Sequence, residues 1–178
     1  MRYAALFGIL ALLLPRHGVA ADASVALAPG HATVAFRAYG LGLLPLDGRF
    51  ARFRGRFSYD PDDHARCTVA LRVDVAGLAM APATVGAMVL GPDFLDAARF
   101  PALAYDGACD AGGLTGRLTM HGVTRPFGLT LDWGKDGVTA VGRLRRADWG
   151  MTARPLLVGS TVRITVTMAA GQERGGGR

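Results

Sequence analysis

The sequence predicts an all-β domain in which about eight antiparallel strands close into a barrel or sandwich. One or two short helices are inserted near residues 84–99. Three observations predict this. Apolar and polar residues alternate with period two along several stretches, the pattern of strands with one buried and one wet face. Clusters of Gly, Pro and Asp separate those stretches, where turns need them. Met80 to Phe100 is a long stretch without the alternation. The chain has 178 residues, 51% of them hydrophobic, which suits one domain with a real core and excludes a disordered chain.

Met1-Arg2, the apolar run Ala4 to Leu14 and the small residues up to Ala20-Ala21 form a secretory leader over 1–21, cleaved after Ala20 or Ala21. The run is short for a bilayer-spanning helix, which needs roughly 20 apolar residues. The expected location is therefore periplasmic or secreted. Cleavage removes Arg2 and Arg16 but leaves the chain basic, its charge carried almost wholly by Arg. Scattered arginines on wet strand positions read as a soluble surface rather than a nucleic-acid motif. The domain then runs over 22–170, and the Gly-rich, polar stretch 171–178 reads as a disordered tail.

From His31 to Asp60 the pattern gives two long strands. Val34, Phe36 and Ala38 share one face. Gly40 to Gly48 breaks the alternation with Gly, Pro and Asp-Gly and reads as an unusually apolar loop, of the kind that borders binding sites. A change of parity between Phe50 and Phe53 suggests a bulge. Asp60 to His64 reads as a turn, and Cys67 to Leu78 as one unbroken strand. Thr84 and Asp93 are placed to cap helices near Val85–Leu90 and Phe94–Arg99. Strands follow at Pro101–Cys109, Leu114–Met120, Phe127–Trp133, Val138–Leu144 and Thr161–Met168, with a connection over Asp148–Pro155. In an exported chain, Cys67 and Cys109 are expected to form a disulfide. Antiparallel pairing sets the start of one strand against the end of the other.

The hairpin Leu118-Thr119-Met120-His121-Gly122-Val123-Thr124-Arg125-Pro126-Phe127 resembles the LT-x-x-GVT-[KR]-P block of the YceI-like family. Three further blocks agree in order. They are Gly48 to Asp60, Asp93-Phe94-Leu95-Asp96-Ala97-Ala98-Arg99-Phe100-Pro101, and Arg146-Ala147-Asp148-Trp149-Gly150-Met151. The resemblance spans about His31 to Met168. It implies a lipocalin-like barrel holding a long isoprenoid chain, such as a polyprenyl phosphate or a quinone tail, in a periplasmic carrier. The chain departs from the family at Val85-Gly86-Ala87-Met88-Val89-Leu90, where relatives carry charged residues. A helix this apolar is buried, lines a pocket mouth, or touches a membrane.

Catalytic constellations are scarce. His31, His64 and His121 stand apart, and no HExxH, GxSxG, phosphate loop or GxGxxG occurs. His121 sits at a hairpin turn where most residues would serve. No cofactor or metal is expected, and binding is expected rather than catalysis. The other classes left open are an enzyme or redox accessory acting on such a lipid, and a stress-response protein without obligatory ligand. Small inward residues, Ala38, Gly55 and Gly142, favour a cavity over a filled interior. The inward set expected to hold the ligand is Val34, Phe36, Phe57, Val73, Leu103, Tyr105, Leu118, Met120, Phe127, Leu129, Gly142 (or its neighbour Val141), Leu144, Trp149, Val162 and Ile164. Met88 stands at the entrance. Together they would form a long apolar tunnel, with head-group recognition left to the rim. Expected partners are an isoprenoid or other long-chain lipid and transiently a membrane, with no nucleic acid, in a monomer or homodimer.

Overall fold

A computed structural model describes residues 23–111 and 113–169. The expected leader and tail lie outside the described residues. Eleven antiparallel strands form one curled sheet. In chain order they are β1 (Ala23–Leu27), β2 (Ala32–Gly40), β3 (Leu44–Phe50), β4 (Phe53–Asp60), β5 (Asp63–Asp74), β6 (Leu78–Met80), β7 (Ala102–Asp110), β8 (Gly113–Met120), β9 (Val123–Gly134), β10 (Gly137–Arg145) and β11 (Thr161–Ala169). The one α-helix among the described residues, α1, spans Ala83–Leu90. The sheet runs β1-β4-β5-β7-β8-β9-β10-β11-β2-β3-β6. Its concave face gathers the apolar parity of nearly every strand into one core.

The all-β class and the curled antiparallel sheet agree with the sequence reading. The strand number is higher for local reasons. Gly40 to Gly48 is mostly strand: only residues 41–43 turn, and β3 pairs with β2 from Gly40↔Leu44 to Val34↔Phe50. The parity change after Phe50 is not a bulge. Residues 51–52 carry the chain from β3, paired with β2, to β4, paired with β1 and β5, so each Phe starts a fresh inward register. The long strand expected from Cys67 is broken at a 3-10 turn, Val75–Gly77. There the Asp74 carboxylate accepts from the Ala76 N–H, and the chain returns as β6 against β3.

Of the two expected helices only the first forms, and Pro82 rather than Thr84 occupies its N-cap without a side-chain bond. The second stretch is a series of turns. Asp96 takes a left-handed φ of 45°, a conformation that ends a helix. The N–H groups of Leu95 and Ala97 bond back to the carbonyls of Val89 and Leu90. The hairpin turn is built as expected, with left-handed His121 (φ 51°) and Gly122 (φ 73°) between Met120 and Val123. His121 is more than a spacer: its ring packs 4.8 Å from Phe100, and Nδ1 lies 3.1 Å from the Trp149 carbonyl. A disulfide joins Cys67 to Cys109 where β5 meets β7, one step past the Thr68↔Ala108 pair.

A candidate lipid cavity at one end of the sheet

The two ends of the curled sheet are filled differently. At one end the inward residues are aromatic and stack. Phe57 is buried between Tyr59 (5.5 Å) and Trp133 (5.9 Å), and His64 covers Trp133 at 3.9 Å with rings nearly parallel. The disulfide lies at this end. At the other, where α1 and the connections 41–43 and 150–160 gather, the interior is hollow. The cavity measures about 140 Å³, close to the roughly 150 Å³ engineered apolar cavity that stays dry and takes up benzene.

Alternate residues of seven strands make most of its wall. Val34 and Phe36 come from β2, Val73 from β5, Leu103 and Tyr105 from β7, Leu118 and Met120 from β8, Phe127 and Leu129 from β9, Leu144 from β10, and Val162 and Ile164 from β11. Met88 of α1 also faces it. These lie where the alternation predicts. Three residues expected with them do not line the space. Phe57 belongs to the aromatic stack at the other end. Trp149 is buried beside the wall, its indole N–H donating to the Leu118 carbonyl at 3.2 Å. Gly142 is covered: a Cβ there would lie 2.6 Å from Phe127 Cζ and 2.7 Å from a Leu129 methyl.

The glycines thus do the reverse of opening space. They let large neighbours lie flat on the sheet, and those neighbours form the cavity floor. A Cβ at Gly116 would lie 2.8 Å from Tyr105 Cζ, and one at Gly107 3.0 Å from the Tyr105 hydroxyl. Gly55 has no such role, since a Cβ there would run into the backbone of β5 at Ala70 and Leu71. Laid across Gly107 and Gly116, Tyr105 donates its hydroxyl to the Phe127 carbonyl at 3.1 Å. Burial raises its pKa to about 12.

Residues missed by the sequence reading complete the mouth. Leu46 comes from the stretch that reads as a loop and Phe50 from just beyond it, Phe94 and Leu95 from the turns after α1, and Met151 and Val158 from the connection before β11. Arg146 is the charged residue on the wall. It is buried, and its guanidinium donates to the carbonyls of Met151 (2.7 Å), Val158 (3.1 Å) and Gly159 (3.1 Å) and lies 5.9 Å over the Phe94 ring. Burial lowers its pKa from the ordinary arginine value, and no carboxylate faces it among the described residues. The signal that could have found these positions is block membership: Phe94, Leu95, Arg146 and Met151 all lie inside the motif blocks. Chemically the site is a greasy hollow with two polar side chains, both already bonded to backbone carbonyls, so it is suited to holding an apolar body.

The chain matches the YceI-like domain over residues 26–170. It is 31% identical over 156 residues to a UPF0312 protein of Vibrio parahaemolyticus, covering 79% of this chain and 82% of the relative. It is 29% identical over 161 residues to a UPF0312 protein of Vibrio cholerae, covering 81% and 85%. Among solved structures the fold resembles BcnA of Burkholderia cenocepacia (TM-score 0.66, 22% identity, 79% of this chain and 96% of that one). It also resembles a polyisoprenoid binding domain from Saccharophagus degradans implicated in plant cell wall breakdown (TM-score 0.59, 14% identity, 84% and 100%).

Proposed function

Because this chain belongs to the YceI-like family, we propose that it is a periplasmic binding protein whose hollow end takes up the tail of an isoprenoid-type lipid, a polyprenyl phosphate or a quinone. The observation that carries the reading is the cavity itself, apolar over nearly all its wall. The Saccharophagus domain described as polyisoprenoid binding shares the fold and supports the ligand class. Binding rather than catalysis fits a wall whose polar side chains, Tyr105 and Arg146, are both engaged with backbone carbonyls. Location in the periplasm rests on the leader expected from the sequence.

The unfilled space is shorter than a long tunnel. It receives the leading end of a tail, and a longer tail gains room by displacing Met80, Met88, Met120 and Met151, all on the wall and all flexible enough to repack. Transient contact with a membrane belongs to the same reading, since such a tail is not free in water. Native mass spectrometry of protein purified from its own host, followed by extraction of the bound lipid, tests the proposal. An isoprenoid adduct is expected. Protein that carries no lipid, or only straight-chain lipid, would overturn it.

A further inference from the structure

The large apolar side chains that stand most exposed among the described residues fall at the hollow end. Leu43 is 84% exposed, Leu156 90% and Leu41 62%, with Leu44, Leu157 and Tyr39 near half. They sit on two loops, or on the strand ends beside them, and the two loops are joined to each other. The Leu41 N–H donates to the Leu157 carbonyl at 2.9 Å, the Gly159 N–H to the Tyr39 carbonyl at 2.8 Å, and Gly40 bridges to Val158. Val158 lines the cavity, so this leucine rim is continuous with the mouth.

A row of arginines lies behind the rim on the outer wall. Arg143, Arg163 and Arg37 stand directly opposite one another on β10, β11 and β2. Arg37 pairs with Asp47 at 2.6 Å; Arg143 and Arg163 have no ion pair among the described residues. Together with Tyr39 they line an open groove. Like charges directly opposite on a sheet cost stability, so the fold gains nothing from this row. At about 3.3 Å per residue, Arg37 stands roughly 10 Å behind the strand end at Gly40. Apolar groups seated in a bilayer reach about 5–10 Å below the head groups, so leucines at the tips and arginines behind match the two layers of a membrane surface in order.

We infer that the Leu41–Leu44 and Leu156–Leu157 loops dock the mouth on an anionic bilayer, with Arg143 and Arg163 meeting lipid phosphates. The inference takes its purpose from the lipid-binding reading above, but the docking needs no cargo. Two uncompensated arginines near an anionic surface give roughly thirtyfold tighter partition than onto a neutral one.

Co-sedimentation of delipidated protein tests it. One set of vesicles is pure phosphatidylcholine; the other is one part phosphatidylglycerol to two parts phosphatidylcholine, and neither contains isoprenoid lipid. The protein is expected to bind the anionic vesicles and to lose that binding as salt rises. Leu43→Ser with Leu156→Ser, both too exposed to disturb the fold, should lose binding to both vesicle types. Arg143→Gln with Arg163→Gln should bind the two types alike. Arg54→Gln with Arg72→Gln, which removes an equal charge from paired positions on β4 and β5, should behave as the parent does. Ala38→Phe, which fills the cavity, should still dock, so loss of cargo binding and loss of docking separate the two claims. Four results would overturn the inference: no vesicle binding by the parent protein, full binding by the leucine variant, equal loss in the Arg54/Arg72 control, or concentration-dependent self-association abolished by the leucine changes without vesicle binding. The last would make the rim an interface between copies.

Discussion

The aromatic end and the hollow end share the strands β5 and β9 and the same alternation, and they differ in what the inward positions carry. At the aromatic end Phe57, Tyr59 and Trp133 meet ring to ring, His64 caps them, and the disulfide ties β5 to β7. At the hollow end Phe36, Phe50, Phe94, Tyr105 and Phe127 share the wall with Val, Leu, Ile and Met, and none of them closes the gap. Rings packed on one another fill the aromatic end, whereas the rings and aliphatic side chains of the hollow end lie along the curled sheet and leave its centre unfilled. One end therefore carries stability and the other is free to carry a ligand.

The largest expected effect lies at the aromatic end. Phe57→Ala removes a ring that is 2% exposed and should cost about 3–5 kcal/mol, read as a lower denaturant midpoint. The ligand affinity of the molecules that remain folded should not change. An equal loss of affinity would show that the two ends are not separable.

Next comes the floor between them. Gly142→Ala forces a methyl against Phe127 and Leu129, and overpacking of this kind costs about 1–3 kcal/mol. Gly142 is thus a poor position for plugging the cavity, because a large side chain there would disrupt the floor before it blocked the hollow. Thermal unfolding should show a clear drop for the alanine, and an unchanged midpoint would mean that the floor yields freely.

A smaller effect tests the same floor by pH. The folded protein holds the Tyr105 proton up to about 12, whereas an unfolded tyrosine releases it near 10. The unfolded state therefore sheds the proton first, so this contribution to stability is whole below about pH 10 and is lost as pH rises toward 12. Tyr105→Phe should flatten that decline while leaving the neutral-pH fold in place. A decline of the same slope in both proteins would locate the alkaline transition elsewhere.

How far this contrast was legible follows from what each feature depends on. Alternation is local, so the inward parity of β5, β7, β8, β9, β10 and β11 reads directly from the chain, as does the Cys67–Cys109 bridge. Partner-dependent features do not. Leu44–Phe50 looks like a loop because Pro45 and Asp47-Gly48 are turn residues. It is held as a strand by β2 and by three pairs with β6. The shift at residues 51–52 marks a change of partners, which a one-dimensional pattern cannot distinguish from a bulge. Alternation names the residues that point inward but not how far along the axis each sits, which is why Phe57 joined the expected cavity set. The reading of small residues as empty space failed for a related reason: whether Gly142 opens a hole or admits Phe127 depends on a neighbouring strand. Arg146 escaped notice because a charged residue next to Arg145 looks like surface, and only the returning carbonyls of 151–159 bury it.

The measurement that bears most directly on a ligand-holding hollow end is calorimetric titration of quinones with increasing tail length into delipidated parent protein and into Ala38→Phe. Ala38 is buried on the cavity wall, and a phenyl ring there fills the hollow without touching the aromatic end. At about 25 cal/mol per Å², each further ~56 Å² of buried tail is worth tenfold in affinity. Affinity should climb with tail length, then level off once the cavity and its mouth are full. Ala38→Phe should lose at least tenfold while unfolding cooperatively like its parent. Affinity that ignores tail length, or Ala38→Phe protein that binds every quinone as the parent does, would contradict binding in the hollow end.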